Sequence, residues 1–155
     1  MKLDRIDFEI LRMLQNDARI SNKELALANG ISPSTCLERV RRLKNGGVIQ
    51  GYHATVKAES LGIAVQAMIS IRLRQHASID FEALMREMSE TREVVNCYLL
   101  SGGNDFLVHV AVRDVEHLRT LVVDRFTARH EVAHIETALI FEYVKGSVLP
   151  NYVES

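Results

Sequence analysis

The stretch ISPSTCLERVRRLKNGGVIQGY, residues 31–52, sets Arg39, Arg41, Arg42 and Lys44 close together in a chain whose formal net charge is only −1. Its punctuation is that of a helix. Ser32 is placed to cap, Pro33 falls at the first helical position, where its missing N–H costs nothing, and Asn45-Gly46-Gly47 is a stop signal. On a 100° wheel Cys36, Leu37, Val40 and Leu43 form an apolar arc. Ser34, Thr35, Glu38, Arg41 and Arg42 take the opposite arc, with Arg39 at its edge. Such a helix buries one face in a small core and presents hydroxyls and guanidiniums outward. Side chains of this kind read base edges and neutralise phosphates.

Working outward, two shorter helices are expected upstream. Asp4 can cap the first, along which Ile6, Ile10, Leu11 and Leu14 recur at helical spacing. Ser21 with Glu24 forms a capping box for the second, and Gly30 is suited to a left-handed C-terminal cap before Ile31. Three short helices with a tight turn between the second and third make a helix-turn-helix. Residues 1–57 carry ten Lys/Arg against six Asp/Glu, while residues 58–155 carry nine against fourteen. That asymmetry predicts two parts with different partners, the first of them anionic.

The remainder alternates between two periods. Val65, Ala67, Ile69, Ile71 and Leu73 repeat every second residue, as on a strand with one buried face. Phe81, Leu84, Met85 and Met88, in a helix expected over residues 79–90, repeat at helical spacing. VVNCYLL (94–100) and DFLVHVAV (105–112) read as strands joined through Ser101-Gly102-Gly103-Asn104. Val115, Leu118, Leu121 and Val122 mark a further helix, and IETALIFEYV (135–144) a closing strand. The order βαββαβ is the ferredoxin-like unit, a four-stranded antiparallel sheet with both helices on one face. The fold class expected is therefore α+β, with an N-terminal trihelical helix-turn-helix domain and a C-terminal ferredoxin-like βαββαβ sandwich. The opposite sheet face, with Met68, Leu107, His109 and Ala111, is too apolar for open water, and a second copy is the simple cover.

Several chemistries are weighed against this reading. HEVAH (130–134) matches the zinc-protease pattern H-E-x-x-H, which requires both histidines on one helix face. Alternation sets in at Ala133, so a long helix is not expected there. His109 with Asp105 is a conceivable acid–base pair, but no nucleophile, phosphate loop or cofactor motif accompanies it. Cys36 and Cys97 are single and far apart, which suits a reducing compartment, and Cys36 reads as a small buried residue. No run approaches the ~18–20 apolar residues of a membrane span, so a cytoplasmic protein without cofactor or metal is expected, nucleoid-associated if the basic helix binds DNA.

Residues 3–56 resemble the N-terminal domain of the leucine-responsive/asparagine-regulator (Lrp/AsnC) family of transcription regulators, through LDxxDxxIL, ARISNxELA, SPSTCxxRVxRL and GVIxGY. LLSGGNDFLVHVAVRD is similar to the family's Gly-x-x-Asp hairpin and ALIFEYVK to its last strand. The resemblance implies a helix-turn-helix at about residues 22–41, a recognition helix from near Ser32 and a hinge strand VIQGYHATV after it. The division is then 1–50 for the DNA-binding domain, 51–63 for a hinge strand and linker, and 64–155 for an effector-binding and oligomerisation domain. The expected function is sequence-specific binding of double-stranded DNA, with affinity or assembly modulated by an amino-acid effector. Expected DNA-binding residues are Ser32, Ser34, Thr35, Glu38, Arg39, Arg41, Arg42 and Lys44. The resemblance also implies homodimers joined through their C-terminal sheets, with assembly to species such as an octamer. Leu100, Ser101, Gly102, Gly103, Asn104 and Asp105, with Thr137, make the expected effector site. The glycines can turn N–H groups to a carboxylate, and Asp105 can meet an ammonium group. The same residues also suit a plain turn.

Overall fold

The computed structural model describes residues 2–74, 80–144, 146 and 148–153. They form two compact units, one of residues 1–55 with 144–155 and the other of residues 56–143. The first holds α1 (Arg5–Asn16), α2 (Asn22–Ala28) and α3 (Pro33–Asn45). Each start is capped by the expected residue. Asp4 accepts the Asp7 N–H while Asp7 returns the bond to the Asp4 N–H, a capping box like that of Ser21 and Glu24. Ser32 accepts the Thr35 N–H, with Pro33 following at the first helical position. Four orphan N–H groups open every helix, so these side chains fix where each begins. Gly30, at φ 63°, ends α2, and Ile31 donates back to the Ala26 carbonyl at 3.0 Å. Gly47, at φ 73°, ends α3 in the same manner. Ile10, Leu25, Ala26, Cys36 and Leu43 are the core. Leu37, expected inside, is exposed, so α3 buries a narrower stripe than the wheel suggests.

The second unit holds β1 (Val65–Leu73), α4 (Phe81–Ser89), β2 (Val94–Leu99), β3 (Phe106–Val112), α5 (Val115–Leu121) and β4 (Val132–Leu139). The strands pair antiparallel in the order β2-β3-β1-β4, as the βαββαβ reading requires. Ala67, Ile69, Ile71 and Leu73 of β1 and Phe106, Val108, Val110 and Val112 of β3 bury one face. Leu84 and Met88 of α4 and Leu118 and Leu121 of α5 close over that face. The start expected for α4 at Ile79 lies outside the described residues.

Three boundaries differ from expectation. Val122–Thr127 continues α5 as a π-helical turn, which brings Phe126 into the core. The closing strand begins at Val132 and ends at Leu139, so Phe141–Val144 leave the sheet. The hinge segment forms no strand with any described residue; a short 3₁₀ turn follows it at Ala58–Leu61. A strand needs a partner for its N–H and C=O groups, and the described chain offers these two segments none.

Candidate nucleic-acid interface and effector loop

The N-terminus of α3 is an ordered cluster of hydroxyls. Ser32 Oγ lies 2.9 Å from Ser34 Oγ and 2.8 Å from Thr35 Oγ1, and it accepts the Thr35 N–H at 3.1 Å. The cap that starts the helix thereby also sets the rotamers of the residues at its tip. Across the turn, Asn22 Nδ2 donates to the Pro33 carbonyl at 2.7 Å and ties α2 to α3. Ser34, Thr35, Glu38, Arg41 and Arg42 are exposed, as the wheel predicts, and so are Ser32 and Lys44.

Arg39 and Arg42 are not free cations. Arg39 Nη1 donates to Asp4 Oδ2 at 2.7 Å and to Asp7 Oδ1 at 2.8 Å, and Arg42 Nη2 donates to Asp7 Oδ2 at 2.6 Å. Arg39 is turned toward the acidic start of α1, its side chain 21% exposed, against 47% for Arg42. Asp7 itself is fully buried, which only a full set of cation and N–H partners makes tolerable. The Asp7 N–H, together with the Arg39 guanidinium, holds the Asp4 carboxyl below the usual carboxylate range, and the bonds from Arg39 to the Asp4 and Asp7 carboxylates raise Arg39. Asp7 stands in the LDxxDxxIL motif with no role expected of it. The available signal was an acid on the same helical stripe as Ile10 and Leu14.

The loop from Leu100 to Asp105 closes the β2–β3 hairpin. The Leu100 N–H donates to the Asp105 carbonyl at 2.8 Å, and the Asp105 N–H donates to the Ile71 carbonyl at 2.9 Å. Asp105 Oδ2 accepts the Leu73 N–H at 2.7 Å, so the carboxylate ends β1 with one oxygen. Gly102, at φ 142°, needs its freedom from a side chain. Ser101, Gly102 and Gly103 are exposed, and Asn104 is half-buried. Thr137 pairs with Ile69, four residues along β1 from Leu73. At ~3.3 Å per residue that is roughly 13 Å. One chain does not bring Thr137 to the loop.

The competing chemistries meet different geometry. His109 Nε2 lies 3.0 Å from Gln66 Oε1 rather than against Asp105, and its burial lowers its basicity. His130 is in a turn and His134 is on β4 opposite Arg72, so HEVAH is not helical. Among the described residues no group of three or more His, Cys, Asp or Glu is arranged to hold a metal ion. Burial raises the thiols of Cys36 and Cys97, away from the reactive thiolate form. No helix among the described residues is long and apolar enough to cross a membrane.

A capped helix-turn-helix followed by a ferredoxin-like unit defines a class of regulator that couples DNA binding to a ligand domain. Residues 3–50 match the model for a winged helix-turn-helix DNA-binding domain, and residues 66–149 match that for the Lrp/AsnC ligand binding domain. The chain is 42% identical over 146 residues to the HTH-type transcriptional regulator AldR of Mycobacterium tuberculosis, covering 94% of this chain and 82% of that one. It is 39% identical over 145 residues to the leucine-responsive regulatory protein of Escherichia coli, covering 94% and 88%. A transcriptional regulator of Neisseria meningitidis, solved as its L-Met complex, superposes with a TM-score of 0.86 at 29% identity, covering 96% of this chain and 97% of that one. The chain belongs to the Lrp/AsnC family. It is a DNA-binding transcription regulator with a ligand-binding domain, and not an enzyme.

Proposed function

We propose that α3 enters the major groove and that an amino acid is the effector. Ser34 and Thr35 then meet base edges, Arg41, Arg42 and Lys44 meet phosphates or guanine, and Ser32, Glu38 and Arg39 hold the helix in register. The observation that carries this is the hydroxyl cluster locked by the Ser32 cap at the tip of an exposed basic helix. In a helix-turn-helix, the N-terminal residues of the recognition helix are the ones that reach base edges. The effector part is supported by the glycine loop, by the second oxygen of Asp105, and by the L-Met bound to the Neisseria relative.

A second copy completes the reading. Met68, Leu107 and Ala111 leave an apolar strip on the open sheet face, and Phe141 and Val144 are 95% and 92% exposed. Sheet-to-sheet dimers would cover them, pair the hinge segment and allow Thr137 of one copy to approach the loop of another. Such dimers, stacked into larger assemblies such as octamers, present recognition helices at multiples of ~34 Å. The functional division is then 1–50 for DNA, 51–63 for the hinge and 64–155 for effector and assembly, in a cytoplasmic, nucleoid-associated protein. An effector alters DNA affinity only by binding one assembly geometry better than another.

Isothermal titration of an amino-acid panel against wild type and Asp105→Asn tests the effector site. Asparagine keeps an acceptor for the Leu73 N–H and removes only the charge. We expect one amino acid to bind wild type and to bind the variant at least tenfold more weakly. Equal binding to both would remove the loop from the site.

A further inference from the structure

Two of the four cations on α3 between residues 39 and 44 are neutralised within the chain. Asp7 Oδ1 takes Arg39, Asp7 Oδ2 takes Arg42, and Asp4 Oδ2 takes Arg39 again. Arg41 and Lys44 make no ion pair among the described residues. Capping alone does not account for Asp7. The box of Ser21 and Glu24 performs the same capping with an exposed carboxylate, and among the described residues Glu24 pairs with no cation. Asp7 is fully buried between two guanidiniums that sit 32 and 35 residues further along the chain.

We propose that Asp7 is a specificity-determining positioning residue, which withdraws Arg39 from the phosphates and holds Arg42 by one edge so that only its remaining donors face DNA. The inference rests on the reading that α3 faces the duplex. Each phosphate neutralised strengthens binding to every sequence alike, whereas base-edge contacts strengthen binding to the right one. A helix that offered all four cations on flexible stems would gain non-specific affinity and lose discrimination. Asp7 fixes the count at Arg41, Lys44 and one edge of Arg42. It also gives Arg42 a defined direction, which a planar guanidinium needs to bond two acceptors at once.

The test uses the full chain and fluorescence anisotropy on two duplexes, the fragment upstream of the protein's own gene and a scrambled one, over a salt series. Wild type, Asp7→Asn, Asp4→Asn and Arg41→Ala are compared, with circular dichroism as the control for folding. Asparagine at position 7 retains an acceptor and a capping oxygen while losing the charge. The expected result for Asp7→Asn is a steeper salt slope on the scrambled duplex, by about 0.9 for each phosphate gained and up to about 2 per recognition helix. The ratio of native to scrambled affinity falls with it. Asp4→Asn, which frees one attachment of Arg39, shifts both quantities the same way by less.

An unchanged slope in folded Asp7→Asn, or equal weakening on both duplexes, would overturn the proposal. If Asp7→Asn loses its helical signal, Asp4→Asn decides alone, and an unchanged slope there is the negative result. Arg41→Ala separates the underlying reading from the inference. Its slope should become shallower by about 0.9. If it does not, α3 does not face phosphate, and the role given to Asp7 falls with that reading.

Discussion

The sheet unit buries fourteen side chains in its core among the described residues, all of them apolar, whereas the helical unit buries five apolar residues and one carboxylate. The sheet unit thus has area to spare, and its polar loop can vary without threatening the fold. The helical unit has little. Small cores leave folding marginal, and what remains is carried by caps and by the Asp7 network. Those same groups set the tip and the charge of α3. Under the proposed function, stability and DNA reading are therefore joined in the helical unit, whereas stability and the proposed effector loop are separable in the sheet unit.

Matched truncations would test that contrast most forcefully. Phe106→Ala removes a ring buried in the sheet core, its centroid 6.0 Å from that of Phe81. A loss of about 3–5 kcal/mol is expected, and for Leu43→Ala in the helical unit about 2–5 kcal/mol. In urea titrations read by methyl NMR, Phe106→Ala should lower the midpoint of the sheet signals and leave a folded protein. Leu43→Ala, despite the smaller deletion, should abolish the folded helical signals in water. A folded helical unit in Leu43→Ala would mean that its small core is not its weak point.

A narrower comparison concerns Ser32. Replacing this cap with alanine should cost about 1 kcal/mol in the helical unit. It should also weaken specific DNA binding by more than that loss explains, because Ser34 and Thr35 lose the oxygen that orders them. Ser21→Ala breaks the other serine cap at a similar cost of about 1 kcal/mol, and it provides the control for stability alone. Equal effects of the two variants on anisotropy, after matching their melting points, would separate the cap from recognition.

How much was legible in the sequence follows the same division. The helix starts were legible because a cap is a local event, written within four residues: Asp4 before α1, Ser21 with Glu24, Ser32 with Pro33. β1 was legible because alternation is local too: Ala67, Ile69, Ile71 and Leu73 are buried as the pattern names them, with Val65 half-buried at the start of the strand. What escaped depends on distance along the chain. The pairing of Asp7 with Arg39 and Arg42 joins residues more than thirty positions apart, and only the odd acid in an apolar stripe hints at it. The apolar spacing marks the second helix of the sheet unit only as far as Val122, since the π-helical turn that carries it on to Thr127 has no composition of its own. The site loop was legible as a turn, but the separation between Thr137 and Asp105 follows from strand register, which one strand's pattern does not give.

The smallest expected effect separates the units by pH. Burial lowers the basicity of His109, which sits opposite Met68 with Gln66 at 3.0 Å, so the folded sheet favours the neutral ring. As pH falls, the unfolded chain takes up that proton first. The contribution is intact above the ordinary histidine value of 6.5 and is lost as pH falls from there through the lower folded value. In the helical unit Asp4 behaves as a carboxylate held low by the Asp7 N–H and Arg39. Its contribution is intact above the ordinary value of 3.8 and is lost only as pH falls through the still lower folded one. Between pH 7 and 5, then, the sheet unit should soften slightly while the Asp4 contribution to the helical unit holds. Urea titration followed on the methyl signals of Val108 and Leu43 reports the two separately. The Val108 midpoint should fall over that range, and His109→Gln, which can still bond Gln66, should flatten the trend. A midpoint that falls equally in the variant would assign the acid sensitivity to another group and leave His109 as a packed residue without a titrating role.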